Sequence, residues 1–165
     1  MTDWLQQLEQ TAFFAWVSGG GSLWGYPTIL FLHTLGLATV AGMSAAICLR
    51  ILGFAPGVAL APLARFFPLI WIAFGVTAAS GTILLLADAT TKLANPVFYV
   101  KMGLIALALV VMQMIKTRVL RDPQVDTNSI GNQARALSIA SLFLWIAATT
   151  AGRLMAYVGP ISGLE

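Results

Sequence analysis

Three ionisable side chains lie well inside the long apolar runs of this sequence: His33, Lys101 and Arg153. Burying a charge in hydrocarbon is costly, so such residues usually face a bundle interior or an aqueous cavity and pair with a group there. A neutral imidazole beside two fixed cations can ligate a metal or bind an acidic or carbonyl-bearing ligand. Asp88, at the end of the second run, is the nearest candidate counter-ion for either cation.

These three side chains are predicted to lie at a similar depth beneath one membrane face. With a rise of about 1.5 Å per residue, His33 lies roughly 14 Å below the start of its run. Lys101 and Arg153 each lie about 8 Å below the nearer end of theirs. Thr149 and Thr150 precede Arg153 by four and three residues, so their hydroxyls share its helix face. We therefore expect one polar site in the outer half of a helix bundle.

The elements that must position this site are four apolar runs. A membrane crossing needs roughly 20 apolar residues, and such runs occur at 24–49, 66–87, 96–115 and 136–158. Only 9% of the residues are charged, whereas soluble domains contain about 25%. We predict an all-α integral membrane four-helix bundle that forms a single domain over residues 1–165.

The segment 2–17 precedes the first run and has the spacing of an amphipathic helix. Leu5, Leu8, Ala12 and Trp16 recur on one side, and polar residues mostly fill the other. We expect an interfacial helix that packs on the bundle. The alternative is a mobile lid over the outer site.

The basic residues indicate how the chain crosses the membrane. They flank the first and third connections: Arg50, Arg65, Lys116, Arg118, Arg121 and Arg135. Because lysine and arginine concentrate in cytoplasmic loops, both termini are expected outside. This topology accounts for the formal charge of +3, so nucleic acid is not an expected partner. No secretory signal peptide is expected either, because the first apolar run is too long for one.

The residues leave three uses of the predicted site open. The first is a b-type haem, with His33 as axial ligand and Lys101 and Arg153 paired with the propionates. The chain has one histidine, so Met102 or Met155 would supply an opposite ligand, or the iron would be five-coordinate. The second is a quinone or another anionic or carbonyl-bearing lipid-soluble ligand. The third is copper held by His33 and methionines, which is weakest because the methionines show no ligand-like spacing.

Several motifs resemble those of a family of small bacterial four-span membrane proteins of unknown function. They are Leu32-His33-Thr34-Leu35-Gly36-Leu37, Leu49-Arg50-Ile51-Leu52-Gly53, Asn95-Pro96-Val97-Phe98 with Lys101, and Ala151-Gly152-Arg153-Leu154-Met155-Ala156-Tyr157. More distantly, His33, Arg50 and the segment Lys101-Met102-Gly103-Leu104 are similar to HemJ-type protoporphyrinogen oxidases and CopD-like copper proteins. The resemblance implies a haem-associated or copper-handling protein of the bacterial inner membrane. It carries over His33 and Lys101, whereas Arg153 belongs to the four-span family's motif.

The expected function is that of a small membrane haem protein that transfers electrons between a lipid-soluble donor and an outer-face redox partner. His33 is the expected metal ligand, and the expected cofactor-binding residues are His33, Lys101, Arg153, Thr149, Thr150 and Met155. The alternative is a non-enzymatic subunit or scaffold in a homo-oligomer or a larger complex. Its polar residues would hold helices together or dock a partner.

Overall fold

The computed structural model describes residues 11–17, 24–122, 125, 130–155 and 157. Four helices in this part of the chain are long and apolar enough to cross a membrane, which confirms the predicted all-α four-helix membrane bundle. A short helix, α1, lies before them at Ala12–Val17. The rest of the predicted interfacial helix 2–17 falls outside the described residues, apart from Thr11.

Four long helices and, besides α1, three short helical segments make up the described fold. The long helices are α2 at Gly25–Leu52, α3 at Phe67–Leu86, α5 at Pro96–Ile115 and α6 at Asn132–Leu154. The short segments are a 3-10 helix at Ala61–Phe66, helix α4 at Ala89–Ala94 and a π-helical turn at Lys116–Leu120. We call the end of the bundle that carries α4 the α4 end, and the opposite end the Arg50 end.

Local sequence explains where these helices begin and end. Gly53 follows α2 with φ 106°, a left-handed conformation that glycine adopts without a steric penalty. Asn95 caps α5 because its side chain accepts a hydrogen bond of 2.9 Å from the backbone N–H of Val97. Pro68 and Pro96 lie in the first turns of α3 and α5, where a missing N–H costs nothing.

The long helices pack in the order α3, α2, α6, α5. Helices α2 and α3 pack closely along each other, as do α5 and α6, and α2 joins the two pairs by packing on α6. Helices α3 and α5 make few contacts with each other. The π-helical turn after α5 reaches α3 at the Arg50 end, where the Lys116 ammonium lies 5.1 Å from the centre of the Phe67 ring.

Packing is denser at the Arg50 end than at the α4 end. Helix α5 shows this most clearly, because its buried residues Ala108, Met112 and Ile115 all lie in its second half. They belong to the main hydrophobic cluster together with Phe67 and Ile70 of α3. The first half of α5, which carries Lys101, contains no buried residue. The fold therefore leaves the flank between α3 and α5 loosely packed around the predicted site.

Candidate functional site

His33 lies on α2 and is turned toward α3. Its Nδ1 atom is 3.0 Å from the carbonyl oxygen of Thr77 and 3.3 Å from Oγ of Ser80. Gly81 allows this approach, because a Cβ atom there would lie 2.9 Å from Cε1 of the imidazole. One carbonyl, one hydroxyl and one glycine of α3 therefore set the position of the half-buried ring.

The contact with Thr77 determines which imidazole nitrogen carries the proton. A carbonyl oxygen can only accept, so Nδ1 donates. The Ser80 hydroxyl donates within its own helix, 2.6 Å from the Val76 oxygen, so its oxygen is left to accept from His33. In the neutral ring the free lone pair is then on Nε2. This is the form that ligates a metal or accepts a hydrogen bond from a ligand.

Lys101 lies on α5, with the end of its side chain against α6. A Cβ atom at Gly152 would lie 3.6 Å from Cε of Lys101 and 3.7 Å from its Nζ. His33 is the ninth residue of α2 and Lys101 the sixth residue of α5, so both lie in the half of the bundle nearer the α4 end. Lys101 makes no hydrogen bond or ion pair with any residue that the structure describes. The site thus contains a half-buried ammonium group that lacks a described partner.

Lys92 is a further basic side chain at this end, and it is not among the site residues predicted from the sequence. It lies on α4, where its Nζ donates a 2.7 Å hydrogen bond to the Leu84 carbonyl and lies 3.6 Å from Oδ2 of Asp88. Its charge acts on Lys101. Asp88, the candidate counter-ion for Lys101 or Arg153, is thus paired with Lys92. The four-residue spacing of Asp88 and Lys92 was the available sequence signal.

Arg153 and Thr150 face away from the centre of the bundle, and Thr149 is half-buried. Arg153 is exposed on α6 and forms no hydrogen bond or ion pair with a described residue. Thr150 is exposed as well, and the Thr149 hydroxyl lies 2.9 Å from the Trp145 carbonyl of its own helix. The buried stripe of α6 ends at Ala151, and a residue two positions later points about 200° away from it. The structure therefore places His33 and Lys101 in the same half of the bundle, whereas Arg153 lies on the exposed side of α6.

The candidate methionine ligands differ in their surroundings. Met102 is 41% exposed on α5, and Met155 is half-buried directly after α6. No group of three or more His, Cys, Asp and Glu side chains that could hold a metal ion occurs among the described residues. Among these side chains, the imidazole of His33 has a nitrogen lone pair on Nε2.

The arrangement pairs a lone-pair nitrogen with a nearby ammonium at one end of the bundle. His33 Nε2 can bind iron or accept a hydrogen bond, and Lys101 can pair with an acidic group of the same ligand. No family model, curated protein or solved structure matches the chain. The geometry of His33 and Lys101 is therefore the ground for a functional assignment.

Proposed function

We propose that the protein is a small membrane haem protein that passes electrons between a lipid-soluble donor and a partner at the outer face. The observation that supports this most is the hydrogen bond from His33 Nδ1 to the Thr77 carbonyl. Histidines that ligate metals almost always donate their other ring N–H to a carbonyl, a carboxylate or water. That hydrogen bond fixes the ring and leaves Nε2 as the ligand atom.

Two cations would hold the acidic groups of a b-type haem. Lys101 would pair with one propionate, because a charge within the membrane needs a partner and the described residues supply none. Arg153, which follows the glycine that Lys101 contacts, would reach the other propionate from the edge of the bundle. Thr149 would contribute less, because its hydroxyl already bonds to its own helix. When bound, the haem would supply a one-electron redox centre.

The loosely packed flank between α3 and α5 supports a ligand that arrives through the bilayer. Helix α5 buries no residue in the half that carries Lys101, and it makes few contacts with α3. A flat, mostly apolar molecule with acidic edges would suit this flank, because its ring would face hydrocarbon and its acidic groups would face Lys101. Quinones share this route, but they carry no carboxylate for Lys101.

The experiment that tests this proposal separates a ligand role of His33 from a helix-joining role. In His33→Asn the amide N–H can still donate to the Thr77 carbonyl, but the Nε2 lone pair is lost. We expect the variant to unfold at the temperature of the haem-free wild type and to lack the Soret absorption that the wild type shows after expression with ample haem. A wild type without Soret absorption contradicts the haem proposal.

The same variant tests the alternative that the protein is a non-enzymatic subunit. The polar contact between α2 and α3 is the observation that favours this reading, since buried hydrogen bonds join membrane helices. If His33→Asn keeps the Soret band, His33 is not the haem ligand, and its contact with α3 serves to join the two helices.

Lys101→Met should weaken haem retention on the order of tenfold, as loss of a supporting contact usually does. Lys116→Met is the matched control, because that lysine contacts Phe67 at the Arg50 end.

A further inference from the structure

A second polar group of side chains lies between α2 and α6, away from His33. Its members are deeply buried, with exposed fractions of 0% to 4%, and we call them the serine cluster: Ser44, Cys48, Ser138, Ser141 and Trp145. The Cys48 thiol lies beside the hydroxyls of Ser138 and Ser141. The cluster is therefore a shared polar contact of two helices within the apolar interior.

Apart from the Cys48 thiol beside Ser141, three polar atoms of the serine cluster lack a hydrogen-bond partner among the described residues. They are Oγ of Ser44, Oγ of Ser141 and Nε1 of Trp145. Other buried hydroxyls bond to their own helices: Thr77 to Ala73 at 2.9 Å, Ser80 to Val76 at 2.6 Å and, within the cluster, Ser138 to Ala134 at 2.9 Å. A polar group that is buried without a hydrogen-bond partner lowers the stability of the fold. We therefore expect each of these three atoms to have a partner.

Helical register places the three side chains within one helical turn of each other. Helices α2 and α6 are antiparallel, and Cys48 lies beside Ser141. Ser44 is one turn before Cys48 on α2, and Trp145 is one turn after Ser141 on α6. Both steps lead toward the α4 end, so Ser44 and Trp145 lie opposite each other, next to Ser141.

We propose that an ordered water molecule binds between α2 and α6 at Ser44, Ser141 and Trp145. The indole N–H only donates and requires an acceptor, whereas each hydroxyl can donate or accept. Water meets all three needs, and buried waters typically make two to four such hydrogen bonds. The indole N–H is a hydrogen-bond donor and cannot ligate a metal cation. The cluster contains no basic side chain that would balance the charge of an anion. The water joins the helix that carries His33 to the helix that Lys101 contacts.

Nuclear magnetic resonance of the protein in detergent micelles, with ¹⁵N-labelled tryptophan, tests this site directly. We expect a rotating-frame Overhauser cross-peak between water and the Trp145 indole proton, with a sign opposite to the diagonal. That sign shows a through-space contact between the indole proton and a proton at the water frequency, and it excludes simple exchange of the indole proton. A spectrum without the cross-peak, or with a peak of exchange sign alone, overturns the proposal. The Trp145→Phe variant assigns the resonance; if it does not fold, replacing the other tryptophans one at a time does so.

Two variants show whether the water is held by the proposed hydroxyls. The double variant Ser44→Ala and Ser141→Ala should lose the cross-peak, because the remaining space is apolar and a single donor holds water poorly. Ser138→Ala is the matched control and should keep it, because its hydroxyl already bonds to Ala134. A cross-peak of unchanged intensity in the double variant would refute the site. If that variant does not fold, Ser44→Ala alone should weaken the peak.

Discussion

The surroundings of His33 determine what its ring can do. In α3 the Thr77 hydroxyl bonds to the Ala73 carbonyl, while the Thr77 carbonyl is shared with the imidazole. A helical carbonyl has a second lone pair for such a contact, provided that no side chain covers it. Gly81 supplies that opening, since a Cβ atom there would lie 3.2 Å from Nδ1. The residue at position 81 therefore controls the tautomer of the ring on the neighbouring helix.

This leads to a prediction for the only histidine of the chain. Long-range ¹⁵N–¹H spectra of histidine-labelled protein without added haem should show the neutral ring protonated on Nδ1. Gly81→Ala should disturb this single tautomer, because its methyl group would lie 2.9 Å from Cε1 and displace the ring. Gly75→Ala, on the same helix with no atom within 4 Å of the added methyl group, is the control. A wild-type ring protonated on Nε2 would contradict the assignment.

For individual residues, the sequence indicates the candidates for the site better than it indicates how their side chains are oriented. His33 and Lys101 stand out because they are ionisable within apolar runs, and the structure places both in the same half of the bundle. Their contacts depend on neighbouring helices and could not be read from one run. Lys92 was missed because it lies in a connection, where a charged residue is ordinary. Its ion pair with Asp88 depends on the helical turn of α4, which brings the two side chains together.

The contact between α2 and α3 depends on a close backbone approach at Gly36. A Cβ atom at this position would lie 2.4 Å from Oγ1 of Thr77 and 2.9 Å from the carbonyl oxygen of Ala73. A backbone atom cannot move aside as a flexible side chain can. Small residues commonly permit such contacts between membrane helices. The same contact presents Thr77 to His33, which lies one turn away from Gly36 on α2.

Gly36→Ala should therefore destabilise the bundle. Overpacking of this kind typically costs about 1–3 kcal/mol in the free energy of unfolding. Gly42→Ala lies on the same helix with no atom within 4 Å of the new methyl group, so it should be neutral or gain up to about 1 kcal/mol. Reversible unfolding in detergent, followed by circular dichroism, measures both variants. Equal stability of the two would show that the close approach at Gly36 does not limit packing.

Hydropathy predicts the membrane crossings better than it predicts where helices end. Helix α6 begins at Asn132 and ends at Leu154, whereas the apolar run spans 136–158. The helix therefore begins before the apolar run, with a polar first turn, because backbone hydrogen bonds can continue a helix beyond the hydrocarbon core. The 3-10 helix, α4 and the π-helical turn were not predicted either. Each is too short for its periodicity to stand out from that of the apolar runs beside it.

For the molecule as a whole, the order of helices around the bundle was the hardest feature to predict. A membrane helix is apolar on most sides, because lipid and protein neighbours are both apolar. The sequence therefore carries little indication that α3 and α5 contact each other sparsely while α2 packs on α6. That order places Lys101 on the loosely packed flank, where a ligand from the bilayer can reach it.

The orientation of the whole molecule is open to a direct test with engineered cysteines. The native Cys48 is fully buried and should not react with a membrane-impermeant maleimide. Gly57→Cys lies in the exposed connection at the Arg50 end, and Ala94→Cys is exposed at the α4 end. Because basic residues flank the Gly57 connection, it should be cytoplasmic. Ala94→Cys should then be labelled in spheroplasts, and Gly57→Cys only after lysis. The reverse result would place the His33 and Lys101 site near the cytoplasmic face, and with it any electron-transfer partner.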